Sequence, residues 1–129
     1  MWLNLIYIAV GASLGAISRY AIHASALPKY MPTFTVNILG SLFFGIISGY
    51  LTTKTTGHHH VIRLTLLVGF LGSFTTFSTF THEITHAIKD QQYFTASLNL
   101  ITQNSLGISA IFLGLKIASW MSGPDVPSV

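Results

Sequence analysis

Cysteine is absent from this 129-residue chain, and charged residues are scarce. Without cysteine, the chain can form no disulfide and perform no thiol chemistry. Asp, Glu, Lys and Arg together make up 7% of the residues, whereas a soluble domain carries about 25%. A soluble four-helix bundle would need a polar face on every helix, and this chain has too little charge to supply one. The composition, 50% hydrophobic, therefore indicates a membrane protein.

The few charges leave four long uncharged runs in the chain. Each run is close to the roughly 20 residues that a helix needs to cross about 30 Å of hydrocarbon. The first run has no basic residue before it and no obvious cleavage site, so we interpret it as a retained span and not as a signal peptide. We predict an all-α membrane protein with one domain, residues 1–129, and spans at about 2–24, 33–53, 62–86 and 93–120. The uncharged runs are 1–18, 30–53, 64–81 and 91–115.

The basic residues do not favour one orientation in the membrane. Lys and Arg usually stay on the cytoplasmic side, but here each side of the predicted four-helix arrangement receives three. Two interpretations remain open: a single orientation fixed by something other than charge, or insertion both ways up with antiparallel pairing of two copies. One side holds Lys54, Arg63 and Lys116, and the other holds Arg19, Lys29 and Lys89.

The amide side chains of Asn37, Asn99 and Gln103 fall inside the predicted spans. A buried amide costs about 2–7 kcal/mol unless it is hydrogen-bonded. These groups could join helices through hydrogen bonds, or they could line a pore with donors. Glu83 is expected at the end of the third span, near the interface, so we predict no carboxylate inside any span. Proton-coupled four-span exporters depend on such a carboxylate.

The histidines give only weak patterns. His58, His59 and His60 lie in the loop after the second span, where a solvated loop is the simplest interpretation. His82 and His86 are four residues apart, but no third ligand follows at a fixed spacing. No Ser/His/Asp arrangement and no glycine-rich phosphate loop is present at membrane depth. We therefore expect neither a side-chain metal site nor enzyme activity.

The third uncharged run contains the least helix-like stretch, GSFTTFSTF at residues 72–80. Gly69, Gly72 and the following hydroxyls predict a break in the helix near the middle of the span. A break in lipid exposes backbone carbonyls that need partners, and such carbonyls commonly bind alkali cations. After the break, Phe77 and Phe80 share a helical face among hydroxyl groups. Ring edges are electropositive, so this face could meet an anion. Ordinary aromatic packing would account for the pattern equally well.

Three motifs in order resemble the Fluc (CrcB) family of fluoride channels over nearly the full length of the chain. They are GASLGAISRY at residues 11–20, TFTVNILGS at 33–41 and GFLGSFTTFSTF at 69–80. The third is the most specific. The resemblance implies an antiparallel, dual-topology homodimer with two fluoride pores and a structural sodium ion at the centre of the dimer.

The resemblance also implies roles for individual residues. The sodium ligands would be the backbone oxygens of Gly72 and Thr75, and Arg19 would add positive potential to the aqueous vestibule. Phe77, Phe80 and Asn37 would line the fluoride pore. The hydroxyls and amides expected to complete the pore are Thr76, Ser78, Thr79, Asn99 and Gln103.

The function that follows from the resemblance is passive export of fluoride down its electrochemical gradient, which relieves fluoride toxicity. The expected partners are fluoride, sodium, the lipid bilayer and a second copy of the chain or a sister protein, with no nucleic acid. The expected location is a bacterial-type plasma membrane, which the chain crosses several times. The alternative is a four-span, dual-topology cation or drug transporter, and a third class is a purely structural membrane subunit.

Overall fold

The computed structural model describes residues 1–53 and 59–122, and within these ranges every regular element is a helix. Helix α1 is Trp2–His23, α2 is Met31–Thr53 and α5 is Tyr93–Ser122. The third long segment, residues 59–89, consists of α3, residues 59–74, and α4, Phe77–Lys89. Lys54 and His58 lie outside the described residues. The prediction of an all-helical membrane protein is thus confirmed.

Within the described residues, four segments are long and apolar enough to cross a membrane. At 1.5 Å per residue, α1, α2 and α5, with 22, 23 and 30 residues, reach about 33 to 45 Å, which exceeds the hydrocarbon thickness. Large apolar side chains such as Leu5, Phe94 and Phe112 point away from the protomer. Lipid would surround such side chains without cost. The protein is therefore a multi-pass membrane protein.

Helical geometry is interrupted between α3 and α4. Helix α3, residues 59–74, comprises an α-helical turn His59–Ile62, a π-helical stretch Arg63–Leu71 and a further turn Gly72–Phe74. Thr75 (φ −76°, ψ 155°) and Thr76 (φ −146°, ψ 109°) are extended, and α4 begins anew at Phe77–Lys89. Hydroxyl-rich sequence favours such an interruption, because Ser and Thr side chains compete with the helix for backbone groups.

Helices α1 and α3 run parallel and touch along a line of glycines. His60 lies beside Asn4 at the start of both helices, and further along, Gly11 lies against Thr65 and Phe70. Gly15 packs against the backbone of Phe70. A methyl group on either glycine would collide with main-chain atoms of α3. These small residues therefore permit the backbone contact that places α3, and the interruption after it, beside α1.

Helices α2 and α5 form a second parallel pair. Gly45 lies against Ile111 and Gly114, and a Cβ atom on Gly49 would lie 2.7 Å from the Cβ atom of Ala118. Because this close approach is repeated along α2 and α5, residues that face each other on the two helices lie at the same depth. The amides of Asn37 and Gln103 are brought together in this way.

The glycine contact between α2 and α5 gives a test of the packing. In Gly45→Ala the added methyl would overlap the main-chain carbonyl of Ile111, and we expect it to lower the stability by about 1–3 kcal/mol. Thermal unfolding of the detergent-solubilised protein, followed by circular dichroism, measures this effect.

Gly107→Ala is the matched control, because its Cβ atom would lie 3.6 Å from the Ser41 Oγ, an ordinary contact. We expect this variant to melt within a few degrees of the wild type. Equal melting temperatures for the two variants would contradict the packing described.

Candidate functional site

The side chain of Asn37 pairs with both backbone groups of Thr76 at the interruption. Its Oδ1 accepts from the Thr76 N–H at 2.8 Å, and its Nδ2 donates to the Thr76 carbonyl at 3.2 Å. Thr76 is extended and buried, so its N–H has no helical partner. Unpaired backbone groups are costly in lipid. One amide from α2 therefore satisfies the polar groups that the interruption exposes.

Asn37 also starts a chain of amides that continues on α5. Its Nδ2 donates to the Gln103 Oε1 at 2.9 Å, and the Gln103 Nε2 donates to the Asn99 Oδ1 at 2.8 Å. Gln103 is only 6% exposed. Because α2 and α5 run parallel in close contact, amides at matching depths on the two helices can meet. The three predicted amides thus form one hydrogen-bonded row.

Hydroxyl groups gather at the first turn of α4. The Thr76 Oγ1 accepts from the Thr79 N–H at 3.2 Å and donates to the Thr79 Oγ1 at 2.9 Å. The Ser78 Oγ lies 3.4 Å from the same Thr76 oxygen. Thr76 therefore caps α4. The first turn of a helix carries partial positive charge from its free N–H groups. In α4 this positive charge lies next to the hydroxyl groups of Thr76, Ser78 and Thr79.

At the other end of the amide row, a carboxyl group lies inside the bundle. The Thr33 Oγ1 donates to the Glu83 Oε1 at 2.5 Å, and Thr33 is fully buried. Asn99 lies close to the same carboxyl group. The Glu83 Oε2 is buried and has no hydrogen-bond partner among the described residues. Glu83 is part of α4, which ends at Lys89, and the expectation that no carboxylate lies at membrane depth stays a prediction.

Together with Glu83, Thr33 and His23, the amides form a longer polar row, which ends near the surface at His23. Its Nε2 lies 3.4 Å from the Thr33 Oγ1. Arg19 lies one turn earlier on α1, so the positive residue expected in a vestibule is at the same end of the bundle as His23. The polar groups consequently extend from the interruption in the middle of the third segment to the end where α1 finishes and α2 begins.

The two phenylalanines expected in a pore have different surroundings. Phe80 is 5% exposed, whereas Phe77 is 75% exposed in the protomer. Their ring centroids are 5.8 Å apart at an angle of 48°. Both rings border a cavity of about 370 Å³, whose polar lining comes from Thr81, Thr85 and Asn104.

A second cavity, of about 350 Å³, lies beside the interruption and includes Gly72 and Thr75 in its lining. In an unbroken helix the Gly72 carbonyl would accept from the Thr76 N–H, but that N–H is bonded to Asn37. The Gly72 carbonyl thereby loses its usual donor. The Thr75 hydroxyl donates to the Leu71 carbonyl at 2.9 Å.

The histidine pairs do not form a metal site in the described part of the chain. The rings of His82 and His86 are 4.4 Å apart, edge to face, but no group of three or more His, Cys, Asp or Glu side chains converges among the described residues. His60 contacts Asn4 instead.

Three residues of the polar row, His23, Thr33 and Glu83, were not among the predicted site residues. A signal for two of them exists in the helical periodicity. Thr33 precedes Asn37 by four residues on α2, and Glu83 follows Thr76 by seven, so each lies on the same face as a predicted residue. His23 has no comparable signal, because its role depends on how α1 meets α2.

The sequence of this chain is similar to those of a known protein family. The model of the CrcB-like protein family, described as Camphor Resistance (CrcB), matches residues 6–115. A protein of Nitrosococcus oceani named fluoride-specific ion channel FluC is 39% identical over 127 residues, covering 92% of this chain and 98% of that protein.

Proteins of the same name from two other bacteria give similar matches. The Maridesulfovibrio salexigens protein is 39% identical over 119 residues, 87% of this chain and 92% of that protein. The Coxiella burnetii protein is 35% identical over 120 residues, 89% of this chain and 97% of that protein. The names of these relatives are those of ion channels and not of enzymes. By the match to its family model and by these relatives, the chain belongs to the CrcB family.

Proposed function

We propose that this protein is a passive fluoride channel that lets fluoride leave the cell down its electrochemical gradient. The observation that carries the proposal is the similarity to relatives named fluoride-specific ion channels over nine-tenths of the chain. The row of hydrogen-bonding side chains inside the bundle supports it. No energy source is needed, because an anion that accumulates inside a cell flows out by itself once a selective path exists.

The chemistry of the row suits a small, strongly hydrated anion. Fluoride must exchange water for other donors before it can enter a membrane protein. At the interruption such donors are the Asn37 amide, the Thr76, Ser78 and Thr79 hydroxyls, and the first N–H groups of α4. The edges of the Phe77 and Phe80 rings add electropositive hydrogens on one side. These donors are neutral, so they can compensate dehydration without binding the anion too tightly to release it.

We further propose that two copies assemble antiparallel to complete the pathway. In one protomer the Phe77 ring is largely exposed, and the cavity beside Gly72 is open on one side. A second copy placed across this face would cover both. The three-to-three balance of basic residues fits a protein that inserts in both orientations. A homodimer is the simplest assembly, and a sister protein could take the place of the second copy.

A structural sodium ion at the contact between the copies completes the proposal. The Gly72 carbonyl has lost its usual helical donor and lies at the cavity beside the interruption. Backbone oxygens of Gly72 and Thr75 from both copies would offer a neutral oxygen cage. Such ligands suit an alkali cation. Bound there, the ion would supply charge that holds the two interruptions together, and it would not travel with fluoride.

Fluoride efflux from liposomes tests the proposed function. Purified protein is reconstituted into vesicles loaded with potassium fluoride, and efflux is started with valinomycin and followed with a fluoride electrode. We expect rapid efflux of fluoride and no detectable efflux of chloride from vesicles loaded with potassium chloride. Phe77→Ile should slow fluoride efflux about tenfold or more, the effect of a barrier raised by about 1.4 kcal/mol.

Phe112→Ile is the matched control, because Phe112 is also exposed in the protomer but lies on α5, away from the polar row. It should conduct like the wild type. Wild-type vesicles that release no fluoride, or that release it only when a proton gradient is imposed, would contradict a passive channel. Wild-type flux in Phe77→Ile would remove that ring from the pathway.

The proposed sodium site is tested by measuring whether variants of its residues still form dimers. A Cβ atom on Gly72 would have its nearest contact at 3.8 Å, with the Leu67 carbonyl oxygen, so Gly72→Leu should fold as a protomer. We expect it to fail to dimerise, because the new side chain would lie at the contact between copies. Thr75→Ser should remain dimeric, since the proposed ligand is a backbone oxygen.

Light scattering of the detergent-solubilised protein, in sodium chloride and in N-methylglucamine chloride, measures the dimer fraction. The wild type should lose dimer when sodium is removed. A wild-type dimer that is indifferent to sodium, together with a dimeric Gly72→Leu variant, would contradict the site.

A further inference from the structure

His23 ends α1 with both of its ring nitrogens directed at oxygen atoms. The Nδ1 lies 3.0 Å from the Arg19 carbonyl oxygen, and the Nε2 lies 3.4 Å from the Thr33 hydroxyl. On its other side, the same hydroxyl lies 2.5 Å from the Glu83 carboxyl group. The Thr33 hydroxyl therefore bridges an exposed imidazole and a carboxyl group inside the bundle.

The protons in this chain can be assigned from the partners. A carbonyl oxygen only accepts, so the Nδ1 of His23 carries a hydrogen. Thr33 has a single hydroxyl proton. Two arrangements satisfy all the contacts. In the first, the Nε2–H of His23 donates to the Thr33 hydroxyl, and Thr33 donates to the Glu83 carboxylate. In the second, the Glu83 carboxylic acid donates to Thr33, and Thr33 donates to the Nε2 of His23, which carries no hydrogen. They interconvert when two protons shift along the chain, one from the Nε2 to Thr33 and one from Thr33 to Glu83.

Both arrangements hold one shared proton, and in both the net charge of His23 and Glu83 together is zero. If that proton is lost to water at the exposed ring, one negative charge remains at Glu83. The Glu83 Oε2 is buried without a hydrogen-bond partner among the described residues. The polar and titratable side chains that act on this carboxyl group are His23 from α1, Thr33 from α2, His82 from α4 and Asn99 from α5.

A lone negative charge at this point would oppose an anion in the amide row. Asn99 lies next to the Glu83 carboxyl group and is itself bonded to Gln103. Charges in a partly buried site are screened less than charges in water. Histidine is the side chain whose charge changes near neutral pH. The shared proton of the His23–Thr33–Glu83 chain consequently determines whether this end of the row repels an anion.

We propose that His23 is a positioning residue for anion passage: it holds the proton that keeps the His23–Thr33–Glu83 chain neutral. The proposal rests on the proposed fluoride conduction. A purely structural role for His23 is the alternative, because its Nδ1 also bonds a carbonyl in the last turn of α1, where a positive charge stabilises a helix. That role would affect stability without making flux depend on pH.

Fluoride efflux from liposomes between pH 6.0 and pH 8.5, with the leak of protein-free vesicles subtracted at each pH, distinguishes these roles. We expect the wild-type rate to fall about tenfold over this range, as for one added unit charge beside an anion path. His23→Gln cannot hold the extra proton, so it should show the low rate at every pH. His23→Lys keeps a positive charge throughout and should show the high rate at every pH.

His86→Gln is the control, because His86 lies on the same helix as Glu83 but outside the chain of contacts, and it should reproduce the wild-type profile. Circular dichroism and recovery of monodisperse protein establish that each variant is folded. A pH-independent wild-type rate would overturn the proposal, and so would a wild-type profile in both His23 variants. Either result leaves fluoride conduction itself intact, whereas wild-type vesicles that release no fluoride at any pH contradict the channel.

Discussion

The pairing of the Asn37 amide with the backbone of Thr76 is the interaction on which the rest of the site depends. An extended residue in the middle of a membrane span leaves an N–H and a carbonyl without helical partners, and lipid offers none. Asn37 provides an acceptor at 2.8 Å and a donor at 3.2 Å. Because Thr76 is bonded in this way, its side chain can cap α4, and the Gly72 carbonyl is released from the helical hydrogen-bond pattern.

That pairing is possible because glycines bring parallel helices into backbone contact. Gly45 and Gly114 set the depth of α5 against α2, and Gly11 and Gly15 set α3 against α1. With these depths fixed, the amides of Asn37, Gln103 and Asn99 align, and Thr33 meets Glu83. The same side chains thus have two roles. They satisfy each other inside a membrane protein, and in the proposed channel they would offer an anion a succession of exchangeable donors.

The four long apolar helices could be predicted well from the sequence, because a charge-free, apolar run of about 20 residues is typical of a membrane-spanning helix. Asn37, Gln103 and Asn99 could also be singled out, since an amide at membrane depth needs a partner. Which amides would bond to each other could not be predicted, because it depends on how the helices pack. The contact between Thr33 and Glu83 could not be predicted either, because it depends on how α4 packs against α2. The π-helical stretch 63–71 has no sequence signature at all.

Fluoride efflux from vesicles containing Asn37→Ala is the decisive measurement for the proposed channel, because this change removes the group that both holds the interruption and begins the amide row. Asn4→Ala is the matched comparison: Asn4 contacts His60 at the far end of α1. With both variants recovered as folded protein, we expect Asn4→Ala to conduct like the wild type and Asn37→Ala to conduct about tenfold more slowly or worse. Folded Asn37→Ala protein that conducts fluoride at the wild-type rate would contradict it.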